Sequence, residues 1–214
     1  DKEGQNNTIP CPIGTSNTNI GSIDESFCEP CSRGTYQYDI GSDTCIPCDV
    51  GYYQNKLGQS QCIQCPMGTY NEKTGGDTCI LCEKGTYSAI LSAVKAETCL
   101  ISPIGTYVDH VGSSNYTHCS PGYYQNQTKQ SNCLACLKGK YNSFHKSINS
   151  SSCIIAPIGS YVPKDGSNTY IPCEKGTYSD HLGATICKLC IPGKFTDEIG
   201  SKKCNECPSG MFSL

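Results

Sequence analysis

The sequence has no tryptophan, only 4 phenylalanines and 2 methionines, and hydrophobic residues fill just 36% of its 214 positions. One large apolar core cannot be built from this material, so crosslinks must substitute for burial. No apolar run approaches the roughly 18 residues that span a bilayer, which excludes a transmembrane helix in this segment. Charge of one sign is missing as well. Sixteen Lys and Arg stand against 19 Asp and Glu, for a net charge of −3 and no basic block. Binding to nucleic acid or to an anionic membrane is excluded on that ground. No signal peptide is present and the chain begins at Asp1. The expectation is a mature or excised segment.

Cysteine is what the chain has in excess. Nineteen cysteines mark a disulfide scaffold, and such density persists only in an oxidising compartment. The expected location is therefore extracellular or at a cell surface. Four Asn-x-Ser/Thr sequons agree with it, at Asn6, Asn115, Asn126 and Asn149, which are expected to carry N-linked glycans.

The cysteines recur in one phrase, Cys-x-x-Cys-x-x-Gly-x-Tyr, as at Cys62, Cys65, Gly68 and Tyr70. Counted from the second cysteine of each phrase, twelve modules begin at Cys11, Cys31, Cys48, Cys65, Cys82, Ser102, Cys119, Cys136, Ala156, Cys173, Cys190 and Cys207. Modules 1, 5 and 8 have 20 residues, and the other complete ones 17. Residues 1–10 read as a polar lead-in. Residues 11–81 hold one long and three short modules, 82–135 one long and two short, 136–206 one long and three short, and 207–214 begin another. Glycine at the fourth position, and usually a second before the next cysteine, predicts turns and two short strands per module. Helical periodicity is faint and confined to Ala89–Ala96, where one turn is expected. The fold class is thus small, disulfide-rich and mostly irregular or β. The expectation is an elongated, solenoid-like stack, on the order of 100 Å long if each module adds about one 10 Å layer.

The imperfect modules favour one sulfur connectivity. Ser102 and Tyr116 replace both cysteines of one pair 14 positions apart, and Ala156 and Tyr170 repeat the double loss. Losing both members of one bond leaves no orphan thiol. The expected bonds are Cys11–Cys28, Cys31–Cys45, Cys48–Cys62, Cys65–Cys79, Cys82–Cys99, Cys119–Cys133, Cys136–Cys153, Cys173–Cys187 and Cys190–Cys204. Cys207 is left over, which implies continuation past Leu214. Two alternatives stay open: leapfrog bonds such as Cys28–Cys45, which strand Cys99 and Cys119, and a zinc ribbon using Cys28, Cys31, Cys45 and Cys48.

An aromatic follows the glycine by two positions in every module but the first: Tyr36, Tyr53, Tyr70, Tyr87, Tyr107, Tyr124, Tyr141, Tyr161, Tyr178, Phe195 and Phe212. These rings are expected to stack module on module, each module touching only the next. A carbohydrate-binding ladder is the sharper alternative. No nucleophile elbow, phosphate-cradling loop or calcium loop occurs. Asp39, Asp109, Asp180 and Asp197 read as turn residues, and Asp109-His110 and Asp180-His181 as repeat inheritance. Neither catalysis, metal nor cofactor is expected.

Cys-Pro-x-Gly-Thr-Tyr followed by Gly-x-x-x-Cys-x-x-Cys resembles the ephrin-receptor-like cysteine-rich repeat of receptor ectodomains and of long protist and ciliate surface proteins. In logic it is also similar to tumour necrosis factor receptor modules. The resemblance spans residues 11–214 and implies an extracellular rod of stacked modules without specifying an activity. The expected function is a structural glycoprotein segment of a fibre, filament, stalk or surface coat, whose partners are copies of itself. A receptor or adhesion ectodomain binding a protein ligand through the long modules is the alternative.

Overall fold

The computed structural model describes residues 9–22 and 24–211. Each module is one antiparallel hairpin of two-residue strands. In module 3, Tyr52–Tyr53 pairs with Ile63–Gln64, Tyr52 opposite Gln64 and Tyr53 opposite Ile63. Eleven such hairpins are formed among the described residues, and none pairs with another into a larger sheet. No α-helix occurs among them. The chain is a small disulfide-rich, mostly β repeat array.

Three 3-10 turns, Glu25–Phe27, Ala96–Thr98 and Ser150–Ser152, fall one in each long module. They account for the extra three residues. Asp24 and Asn149 cap two of them by accepting the backbone N–H of Ser26 and Ser151, whereas Lys95 supplies no side-chain cap. The turn expected at Ala89–Ala96 is not there. Its place is taken by a sharp reversal at Ser92 (φ +53) and an isolated bridge from Ala93 to Tyr70, and the helical turn begins only at Ala96. A hairpin closed by Cys82–Cys99 must reverse direction mid-loop, and that overrides a weak propensity.

All nine disulfides lie within single modules, with Cα–Cα separations of 5.5–5.8 Å. Each Cys-x-x-Cys therefore divides its cysteines between two successive modules, which leaves neither leapfrog bonds nor a zinc ribbon in the structure.

Two positions recur through the buried interior, beside fifth-position residues such as Thr69 and Thr106. One is the module start, where the described cysteines of modules 2–5, 7, 8 and 10 are 0–1% exposed, and Ser102 and Ala156 are fully buried in their place. The other is the seventh position, directly after the aromatic. Its occupants are mostly polar yet buried: Gln37, Gln54, Asn71, Ser88, Gln125, Asn142, Ser179 and Thr196. The amides survive burial because the turn satisfies them. Gln54 donates from Nε2 to the Gln61 carbonyl at 2.7 Å and accepts the Lys56 N–H at 3.0 Å through Oε1. The two disulfide-free modules instead carry Val108 and Val162 there, 1% and 0% exposed. Burying a valine contributes roughly 1.5–3 kcal/mol, comparable to the ~3 kcal/mol of closing a 15-residue loop with sulfur. Apolar burial thus stands in for the missing bond.

Successive modules are joined by a recurring set of backbone hydrogen bonds. Gly51 donates to the Asn71 carbonyl of the next module at 2.7 Å, Gln54 to Gly76 at 3.1 Å, and Gly75 back to Cys48 at 2.7 Å. The expectation that each module touches only the next is incorrect. The fourth-position glycine also abuts the module two further along, where a Cβ would sit 2.0–2.8 Å from a backbone carbonyl oxygen.

The chain divides into two compact units, one running to Ile101 and including His110–Asn115, the other made of Ser102–Asp109 and the chain from Tyr116 onward. In the first, the close approaches are Gly14 to Gly58, Gly34 to Gly75, Gly51 to Ser92 and Gly68 to Gly112. In the second they are Gly105 to Lys146, Gly122 to Gly166, Gly139 to Gly183 and Gly159 to Gly200. Only a residue without a side chain fits there, and φ near +80° at these positions adds a second reason for glycine. The stack in each unit returns on itself every two modules.

Candidate functional site

The aromatics at the sixth position are half-buried in every described module, from Tyr36 to Phe195; Phe212 lies outside the described residues. They line grooves between neighbouring modules. Tyr36 shares a groove with Asp49, Tyr52, Gln61 and Cys62, of 200 Å³. Tyr107 does so with Ser120, Tyr123, Asn132 and Cys133, in 260 Å³. Tyr161 lies with Glu174, Thr177, Ile186 and Cys187 in a groove of 350 Å³. In all three the ring of one module lines a groove with the half-buried second cysteine, and the second, fifth and fourteenth positions, of the next. Where module 1 has Ser16 instead, its hydroxyl lies 3.3 Å from the sulfur of Cys45. Where module 9 has Tyr170 instead of cysteine, the Tyr141 ring of module 8 meets it edge-on, centroids 5.3 Å apart at 67°.

The described sequon asparagines Asn115, Asn126 and Asn149 are exposed; Asn6 lies outside the described residues. Asn149 Oδ1 accepts from the backbone N–H of Ser151 at 3.0 Å and from its hydroxyl. Both contacts lie within the sequon and use the amide oxygen of an exposed side chain.

The acidic positions do not gather. Among the described residues no group of three or more His, Cys, Asp or Glu is placed to hold a metal ion. Asp180 is held locally: His181 Nδ1 lies at 2.9 Å and Lys188 Nζ donates to both carboxylate oxygens at 3.0 Å. The hydrogen bond with His181, reinforced by Lys188, lowers the Asp180 pKa to about 2, and the same contact raises that of Lys188. Lys188 also lies over the Tyr178 ring, 5.9 Å from its centroid. The cluster is exposed and stabilises the module's own surface. Cys207 carries a free, partly exposed thiol, and its N–H bonds the Gly193 carbonyl at 3.0 Å.

Two features escaped the sequence reading. The buried seventh position does carry a signal, since an uncharged polar residue or valine follows the aromatic in each described module from module 2 onward. The groove positions carry none, because their residue types change from module to module.

The repeat, its disulfides and its glycines match a known family along most of the chain. Residues 23–48, 38–77, 68–119, 105–153 and 159–207 match the family described as tyrosine-protein kinase ephrin type A/B receptor-like. The chain belongs to the ephrin-receptor-like repeat family. No curated protein matches it. The ephrin-receptor-like repeats and the nine disulfides point to an extracellular cysteine-rich protein. No helix among the described residues is long and apolar enough to cross a membrane.

Proposed function

We propose that the chain is a non-enzymatic extracellular structural glycoprotein, a repeat scaffold that forms part of a fibre, filament, stalk or surface coat through contacts between copies. The observation that carries this reading is the recurrence of one interlock, glycine against carbonyl two modules on, eight times among the described residues. A chain whose modules dock on each other by backbone contacts presents the same surface again and again, and a repeated surface favours open-ended heterologous assembly. Exposed Asn115, Asn126 and Asn149 support glycan attachment. The inter-module grooves, built alike in both units, support a material role over a single active site.

A second reading, a receptor or adhesion ectodomain, is favoured by one observation. The long modules expose Phe27, Ile90, Leu91, Phe144 and Ile148, which are 43–63% accessible. Exposed apolar side chains on these longer loops suit a protein ligand.

Electron microscopy of native, non-reduced protein, beside mass photometry across concentration, tests the choice. Filaments with a regular axial repeat support the structural reading. Monodisperse particles at every concentration overturn it and direct a ligand search to the long modules.

A further inference from the structure

Every disulfide in the structure joins two cysteines of one module, so modules are linked to each other only by the main chain and by non-covalent contacts. Module 9 lacks its own bond. At the place of its second cysteine stands Tyr170, 39% exposed, and the ring that meets it belongs to the preceding module. The Tyr141 and Tyr170 centroids are 5.3 Å apart, 29 residues apart in sequence, with both rings partly open to solvent. Phenylalanine at position 170 would supply the same edge contact. The phenol adds a redox chemistry that phenylalanine lacks.

We propose that Tyr141 and Tyr170 are an oxidative crosslinking site, at which a haem peroxidase with hydrogen peroxide installs a dityrosine bridge between modules 8 and 9. Each phenol gives up one electron and one proton to the oxidised peroxidase, and two tyrosyl radicals result. A carbon ortho to one hydroxyl couples to the corresponding carbon of the other ring. The hydrogen on each coupled carbon is lost as that ring regains its phenol. In sum two C–H bonds are exchanged for one C–C bond, and the two protons and two electrons reduce one hydrogen peroxide to two waters. The pair is already in contact, so coupling within the molecule competes with encounter between molecules on the advantage of proximity. The bridge joins neighbouring modules, which no disulfide does, and it resists reduction.

The test oxidises dilute, fully disulfide-bonded protein with a haem peroxidase and stoichiometric hydrogen peroxide. The product is then reduced, alkylated, digested with trypsin and analysed by mass spectrometry. The expected result is a covalent pair of peptides 141–146 and 165–175, lighter than their sum by two hydrogens. It exceeds any other tyrosine pair by about tenfold or more. Tyr36 and Tyr38, whose centroids are 6.1 Å apart within one strand region, provide the internal comparison. Tyr170→Phe, with its nine disulfides retained, abolishes the species. If that variant fails to form its disulfides, the wild-type peptide map alone decides. Equal yields over many tyrosine pairs, crosslinks formed only between molecules, or no dityrosine while free tyrosine in the same tube is oxidised would each overturn the proposal.

Discussion

Gly68→Ala isolates the contact between alternate modules. A Cβ at Gly68 would lie 2.0 Å from the carbonyl oxygen of Gly112, 2.4 Å from its carbon and 2.9 Å from the carbonyl carbon of Ser113. Ordinary contact requires about 3.4 Å or more between such atoms, so a gap of more than ~1 Å must open. Two hydrogen bonds hold the opposing backbone in place, Gly112 N–H to the Cys82 carbonyl at 2.8 Å and Ser88 N–H to the Ser113 carbonyl at 3.1 Å. A displacement of that size breaks both, at about 1 kcal/mol each. Placing alanine at φ +81° costs a further 1–2 kcal/mol, roughly. The expected total is about 3–4 kcal/mol, local to modules 4–6.

Gly176→Ala is the matched control. It has nearly the same φ, +78°, but a Cβ there meets nothing within 4 Å. Only the conformational cost of about 1–2 kcal/mol applies. Native-state hydrogen exchange reads the difference directly. Protection of the Ser88 and Gly112 amides should fall by roughly 10²–10³-fold in Gly68→Ala, at 1.4 kcal/mol per tenfold. In Gly176→Ala the loss at the amides around the substitution should stay near tenfold. Equal losses in the two variants would show that glycine serves only its own backbone conformation, and would refute the two-module interlock.

Ser92 occupies a glycine position at φ +53° with a buried hydroxyl that has no hydrogen-bond partner. Ser92→Gly should therefore stabilise module 5 by about 0.5–1 kcal/mol after glycine's larger unfolded-state entropy is subtracted, seen as slower exchange of the amide at position 92. Ala156→Cys with Tyr170→Cys should restore the missing bond, because equivalent pairs lie at 5.7 Å. Forming the bond makes the double variant lighter by two hydrogen atoms by intact mass and adds up to about 3 kcal/mol, offset by about 1 kcal/mol for the lost ring contact. The Asp180 carboxylate should titrate near 2 by NMR instead of at the ordinary 3.8. Its folded pKa is depressed, so its contribution is present above pH ~4 and disappears as pH falls through 2. Titration at 3.8 would show that the His181 and Lys188 contacts are not maintained in solution.

The repeating module was legible in the chain because it rests on short-range constraints. A disulfide between Cys48 and Cys62 closes a loop within its own hairpin, and Gly51 turns the chain locally. Paired losses at Ser102/Tyr116 and Ala156/Tyr170 made the connectivity readable for the same reason, since partners so close in sequence vanish together. The burial of Gln54 was not legible, because the turn carbonyl that satisfies its amide is located only by the fold. The helical turn of module 5 began only at Ala96, the end of the expected segment, because loop closure, not propensity, sets where that hairpin reverses. What only the tertiary structure decided is the approach of Gly68 to Gly112 and of Tyr141 to Tyr170. Both depend on the rotation from one module to the next. That rotation arises from hydrogen bonds such as Gly51 to Asn71, made by main-chain atoms that every residue carries alike and no sequence pattern distinguishes.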